Sequence, residues 1–126
     1  MDSLIGQTLN RYQVTTLIRD EAKGPVYQGL DTRLGTAVNI RVLPAEMVRS
    51  AGSRQAVLAA IRRSIRVEHP GFIDVEDVGE YEDRIYVVSA PLDGESLRSV
   101  LERLRAADRW IRLEEAIELA RQIALI

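Results

Sequence analysis

The sequence contains no cysteine, and this absence excludes disulfides, thiolate catalysis and sulfur-ligated metal sites. Its single histidine, His69, stands before Pro70 and is interpreted as a turn residue, because a lone histidine makes a poor metal site. There is no apolar run near the roughly 20 residues that span a bilayer, and the N-terminus has no secretory signal. These absences predict a cytoplasmic chain without a metal site or a membrane span.

The charge is too balanced to predict a nucleic-acid partner. The net charge is −2, so the chain has no global basic field of the kind that attracts polyanions. Arg62, Arg63 and Arg66 form one basic stretch, but no aromatic residues are interleaved with them, so we interpret them as a solvated helix face. The chain has 126 residues, of which 46% are hydrophobic and 29% charged. This length and composition predict a single folded domain over residues 1–126.

The first third of the chain has the pattern of three antiparallel strands. Short segments rich in β-branched and aromatic residues run from Tyr12 to Leu17 and from Val26 to Leu30, with a polar stretch over residues 19–25 between them. This pattern predicts a β-hairpin with a long loop. A third strand is predicted where apolar residues alternate from Val38 to Val42.

The rest of the chain alternates helical and strand patterns. A helix is predicted from Ser53 to just before His69-Pro70, and a strand pair over Val75–Tyr81 and Ile85–Ser89. Two amphipathic helices are predicted from about Ser96 and Leu113. The expected fold class is α+β, with a five-stranded antiparallel sheet and one packed helix in residues 12–89, followed by two C-terminal helices in residues 96–126.

Six segments fall in the order of one known family. They are Tyr12-Gln13-Val14, Gly24-Pro25-Val26-Tyr27, Asp31-Thr32-Arg33-Leu34-Gly35, Val38 to Pro44, His69-Pro70 and Asp93-Gly94-Glu95-Ser96-Leu97. With the element order, they make the chain resemble the small lobe of a bacterial serine/threonine protein kinase, followed by the first two helices of the large lobe. The resemblance implies a nucleotide pocket.

The chain departs from this family at the loop that contacts phosphates. The resemblance places Arg19, Glu21 and Gly24 at the three glycine positions of the family's G-x-G-x-x-G motif. Val26 follows them in the sequence and is also a pocket position. Only the last glycine is kept. A carboxylate from Glu21 in this position would repel phosphate groups.

The resemblance implies further losses around the pocket. Arg41 stands at the position of the family's phosphate-binding lysine, Asn39 replaces a small alanine above the adenine ring, and Ala60 stands where a glutamate pairs with that lysine. The segment Ser89-Ala90-Pro91-Leu92 matches the adenine-binding hinge, where Pro91 removes one backbone donor. We therefore expect weak or absent ATP binding and no cofactor.

The family's catalytic motifs are absent from the sequence. The single phenylalanine, Phe72, follows Gly71, and the single histidine, His69, precedes a proline, so neither Asp-Phe-Gly nor His-Arg-Asp occurs. The expectation is that the chain is not an enzyme but a pseudokinase-like module without catalytic residues. The alternative is an N-terminal fragment of a serine/threonine kinase, or a sensor that binds ATP without hydrolysing it.

Two residues near the pocket have alternative interpretations. Arg41 is either a residual phosphate contact or an ordinary cleft arginine, and we favour the ordinary arginine. Glu21 is either an internal phosphate mimic that reaches Arg41 or Lys23, or a solvated loop residue, and we favour the solvated residue.

The two C-terminal helices are predicted to provide an interface. Their apolar residues continue to the end of the sequence and must fold back on the small domain, meet a partner or stay exposed. An uncovered apolar stripe usually marks an interaction surface. We expect a protein partner or self-association at this stripe, by exchange of the helices between copies in its most specific form. The residues selected for it are Leu97, Leu101, Ile117 and Ile123.

Overall fold

The computed structural model describes residues 3–67, 69–71, 73–92 and 94–126. Phe72, and Asp93 of the predicted Asp93-Gly94-Glu95-Ser96-Leu97 segment, lie outside these ranges. The chain divides into two compact units, a sheet unit of residues 1–68 and 73–91 and a helical unit of residues 69–72 and 92–126. A single domain over residues 1–126 stays a prediction.

The sheet unit contains six antiparallel strands in the spatial order β1-β2-β3-β4-β6-β5. The strands are β1 (Thr8–Leu9), β2 (Tyr12–Glu21), β3 (Gly24–Asp31), β4 (Thr36–Val42), β5 (Val75–Tyr81) and β6 (Arg84–Ser89). Between β4 and β5 the chain forms a short 3-10 helix, Ala45–Val48, and helix α1, Ala51–Ser64. The predicted α+β class is confirmed, with one strand more than expected.

The hairpin formed by β2 and β3 differs from the prediction. Glu21 pairs with Gly24, so only Ala22 and Lys23 connect the strands and the expected long loop is wrong. Arg19, Glu21 and Gly24 therefore lie on strands. The polar side chains at this end of the hairpin are mostly exposed, and an exposed polar strand lacks the apolar alternation that distinguishes a strand from a loop.

Apolar side chains cover both faces of the sheet. Along β6, Ile85 and Val87 pack with Leu58 of α1, whereas Tyr86 and Val88 pack with a second cluster on the other face. This alternation follows from the two-residue repeat of a strand. The second cluster includes Val14, Val38, Ile40 and Val42, all of them buried. The strand β4 therefore turns its apolar residues away from α1 and leaves Asn39 and Arg41 on the α1 face.

Helix α1 begins earlier than predicted. Ser50 is its N-cap, and the Ser50 and Ser53 side chains each accept from the other's backbone N–H at 3.1 Å. Ser53, where the helix was predicted to begin, is therefore its third residue and belongs to a capping box with Ser50. Arg62, Arg63 and Arg66 are exposed, in agreement with a solvated face.

The helical unit contains α2 (Leu97–Ala106), capped by Ser96, and α3 (Leu113–Ala124). Both helices lie wholly within the described residues, and none of their side chains is fully buried. Between them is a groove of about 550 Å³ with an apolar lining that includes Leu97, Val100 and Leu119. Trp110, in the connection, is 85% exposed.

Candidate functional site

The strand pairing brings several predicted pocket positions onto one face of the sheet. Arg19 pairs with Val26, Val26 with Arg41, and Arg41 with Val87, so these residues form one row across β2, β3, β4 and β6. Residues directly opposite each other in a sheet project to the same side. Val26 is buried in this row with 3% of its surface exposed, while the Arg41 side chain is 30% exposed.

A second row runs parallel to the first. Asn39 pairs with Gln28 of β3 and with Ser89 of β6, and both Asn39 and Ser89 are half-buried. The structure thus brings Val26, Asn39, Arg41 and Ser89 together on the face that also carries α1. Pro91, at the end of the sheet unit, and Ala60, on α1, are exposed.

A carboxylate links the two arginines of the first row. Glu21 accepts from Arg19 Nε at 2.9 Å with one oxygen and from Arg41 Nη2 at 3.1 Å with the other. The hydrogen bond from Arg41, with a further contribution from Arg19, lowers the pKa of Glu21 below its ordinary value, so this group is ionised at neutral pH. Glu21 does reach Arg41, which is the alternative that the sequence did not favour.

The backbone of Gly24 holds the other side of Arg41. The Gly24 carbonyl accepts from Arg41 Nη1 at 3.2 Å. Gly24 is buried with φ of +111°, and a Cβ atom on it would overlap the carbonyl oxygen of Val42. Gly24 is the one glycine kept at the three motif positions. It is therefore required by the packing of the hairpin onto β4.

The predicted interaction residues lie in the helical unit and are open to solvent. Their exposed fractions are 41% for Leu97, 43% for Leu101 and 60% for both Ile117 and Ile123. Of these residues, Leu97 lines the groove between α2 and α3. Acidic side chains border that groove, but Glu95, Glu115 and Glu118 each pair with an arginine of their own unit.

Sequence reasoning missed a polar cluster on the face away from α1. The Tyr12 hydroxyl donates to Asp77 Oδ2 at 2.6 Å, and its ring meets Tyr86 edge to face at 6.0 Å between centroids. Burial and the Asp77 carboxylate raise the pKa of Tyr12 above its ordinary value. Asn10 donates to the Tyr86 hydroxyl. These partners are about 65 to 76 residues apart along the chain, so no local pattern indicates them.

Within the described residues there is no group of three or more His, Cys, Asp or Glu side chains arranged to hold a metal ion. No helix in the described ranges is long and apolar enough to cross a bilayer.

No protein-family model matches the chain. The serine/threonine-protein kinase PknA of Mycobacterium tuberculosis is 33% identical over 109 residues, which cover 82% of this chain. The serine/threonine-protein kinase pkn2 of Myxococcus xanthus is 33% identical over 91 residues, or 72% of this chain.

The solved kinase domain of PknI from Mycobacterium tuberculosis superposes on 98% of the chain with a TM-score of 0.83 at 21% identity. The chain is a homologue of the bacterial serine/threonine protein kinases. The resemblance drawn from the sequence and the small-lobe fold are therefore confirmed. The chain spans 25% of the length of PknA and 48% of the PknI kinase domain.

The kinase relatives correct one expectation. The chain was expected not to be an enzyme, and this expectation is wrong, because its relatives PknA, pkn2 and a probable kinase of Streptomyces coelicolor are named serine/threonine kinases, which are enzymes. The alternative of a kinase fragment agrees with them better than the pseudokinase-like module does. The chain spans only part of each relative, and the names of the relatives do not show that the chain itself is active.

Proposed function

We propose that this chain is the small lobe, with the first helices of the large lobe, of a bacterial serine/threonine protein kinase, and that it holds a nucleotide against the α1 face of its sheet. The observation that carries the proposal is the 33% identity to PknA over 82% of the chain. The site supports it, since Val26, Asn39, Arg41 and Ser89 share one face around β4.

Each part of this face has a role that its chemistry suits. Val26 is a buried apolar side chain that can contact a planar base, and Arg41 is a permanent cation suited to phosphate. The half-buried Asn39 adds polar atoms where a base would lie, and these need partners. We therefore expect nucleotide binding to be weak, with the rest of the kinase reaction depending on motifs that these 126 residues do not contain.

The test is thermal unfolding of the chain with and without Mg-ATP. A ligand at about 100 times its dissociation constant adds roughly 2.7 kcal/mol to the free energy of unfolding, which raises the midpoint of a domain of this size by about 10 °C. Magnesium sulfate at equal ionic strength is the control. Equal midpoints in both solutions up to about 10 mM nucleotide would contradict the proposal.

A second proposal is that the helical unit forms an interface with another copy of the chain. The exposure of Leu97, Leu101, Ile117 and Ile123 supports it, as apolar side chains open to solvent on adjacent helices favour association.

The cytoplasmic location expected from the sequence stays a prediction.

A further inference from the structure

The end of the β2–β3 hairpin places one carboxylate between two arginines. Glu21 contacts Arg19 and Arg41 with separate oxygens, and Lys23 is in the adjoining turn. Guanidinium groups bind carboxylates and phosphates through the same charge-assisted hydrogen bonds. Glu21 thus satisfies Arg19 and Arg41 in the way that a phosphate oxygen pair would.

We propose that Glu21 is a built-in competitor of the nucleotide phosphates, which bind Arg41 only after the Glu21 carboxylate has left it. The inference rests on the proposed function, because the displaced carboxylate and the nucleotide must meet on the same sheet face. It assigns Glu21 a role in regulating access to the site, and Arg41 the role of a phosphate contact that is occupied in the free protein.

The geometry of Arg41 suits this exchange. Its Nη1 atom is held by the Gly24 carbonyl, while Nη2 is held by Glu21. The Gly24 contact involves the backbone carbonyl of a buried residue on strand β3, so it keeps the guanidinium in place. The Glu21 contact involves a side chain that is 39% exposed and can rotate into water. The contact of Arg41 with Gly24 is therefore fixed, whereas a phosphate can replace its contact with Glu21.

The competition is modest in size. Ion pairs between partly exposed side chains are weak, and the Glu21 carboxylate would also repel a phosphate placed beside it. Removing the negative charge of Glu21 should remove both the competing ion pair with Arg41 and the repulsion of the phosphate. We expect Glu21→Gln, which keeps the shape of the side chain, to lower the dissociation constant of Mg-ATP about tenfold.

The experiment is isothermal titration of the full chain with Mg-ATP, comparing wild type, Glu21→Gln and the control Glu76→Gln. Glu76 is an exposed carboxylate on β5 that makes no ion pair in the described part of the chain, so its substitution changes the net charge equally. Adenosine, which carries no phosphate, is titrated in parallel. Circular dichroism confirms that each variant is folded.

Tighter Mg-ATP binding by Glu21→Gln alone, with adenosine binding unchanged and with the gain abolished by an added Arg41→Gln, supports the inference. Equal Mg-ATP affinities of wild type and Glu21→Gln overturn it while the proposed function stands. A gain that persists without Arg41 also overturns it. Absence of Mg-ATP binding by every variant overturns the proposed function and the inference together.

Discussion

Gly24 shows how much a single position determines at the residue scale. Its φ of +111° is a backbone conformation that other residues rarely adopt, and Val42 occupies the space that a side chain would need. The same residue supplies the carbonyl that holds Arg41. A glycine that the family resemblance assigns to phosphate approach therefore also has a packing role in this chain.

We expect Gly24→Ala to lower the free energy of unfolding by about 3 kcal/mol, because backbone strain and the overlap with Val42 act together. Gly35→Ala is the matched control. Gly35 has φ of +69° with no heavy atom within 4 Å of an added Cβ, so only the strain of roughly 1 kcal/mol remains. Urea unfolding curves measure both changes, and equal losses would show that the contact with Val42 contributes nothing.

The ion pair between Arg41 and Glu21 was only partly predictable from the sequence. The residue and its place on β4 followed from the alternation of Val38, Ile40 and Val42. Its contact with Glu21 depended on the two-residue turn, because a long loop would not have fixed where Glu21 lies. The missing information was the length of the connection between β2 and β3.

At the scale of elements, local signals defined some boundaries and left others undefined. The strand β5 was predicted at its observed bounds, with Glu82 and Asp83 as the turn before β6, and both residues have positive φ. Ser96 marked the start of α2 through its side chain, which accepts from the Ser99 N–H. By contrast, β1 has only two residues, too few to show any alternation.

Helix α1 offers a test of its capping box. Ser50→Ala should lower the free energy of unfolding by about 1 kcal/mol, because the Ser53 N–H loses its acceptor at the exposed start of the helix. Ser64→Ala, at the other end of α1, is the control, since its hydroxyl only donates to the Ile61 carbonyl, and we expect a change within about 0.5 kcal/mol. Chemical denaturation of both variants distinguishes the two ends. A larger loss for Ser64→Ala would contradict the capping argument.

At the scale of the whole molecule, the chain combines a sheet unit with buried clusters on both faces and a helical unit without a fully buried side chain in α2 or α3. The hydrophobic effect acts on the area removed from water. The sheet unit has buried much of its apolar surface, whereas residues such as Leu113 and Ile117 of the helical unit remain 72% and 60% exposed. We therefore expect association to involve the exposed apolar side chains of the helical unit.

We expect the average mass of the chain to rise with concentration, and the double substitution of Leu101 and Ile117 by Asp to weaken this association at least tenfold, because central apolar residues carry most of the binding energy of an interface. Leu34→Asp is the control, since Leu34 is 66% exposed but belongs to the sheet unit. Size-exclusion chromatography with light scattering gives the mass. A strict monomer at high concentration would contradict the expectation.

The position of Trp110 also makes it a fluorescence reporter. It is the single tryptophan of the chain, it belongs to the helical unit, and it is 85% exposed. An indole already surrounded by water changes its emission little when the sheet unit melts, so unfolding is better followed by circular dichroism. A blue shift of that emission would instead report that another surface has covered the connection between α2 and α3. The native protein thus carries its own optical label for association, at a site distant in sequence from the Glu21 and Arg41 pair.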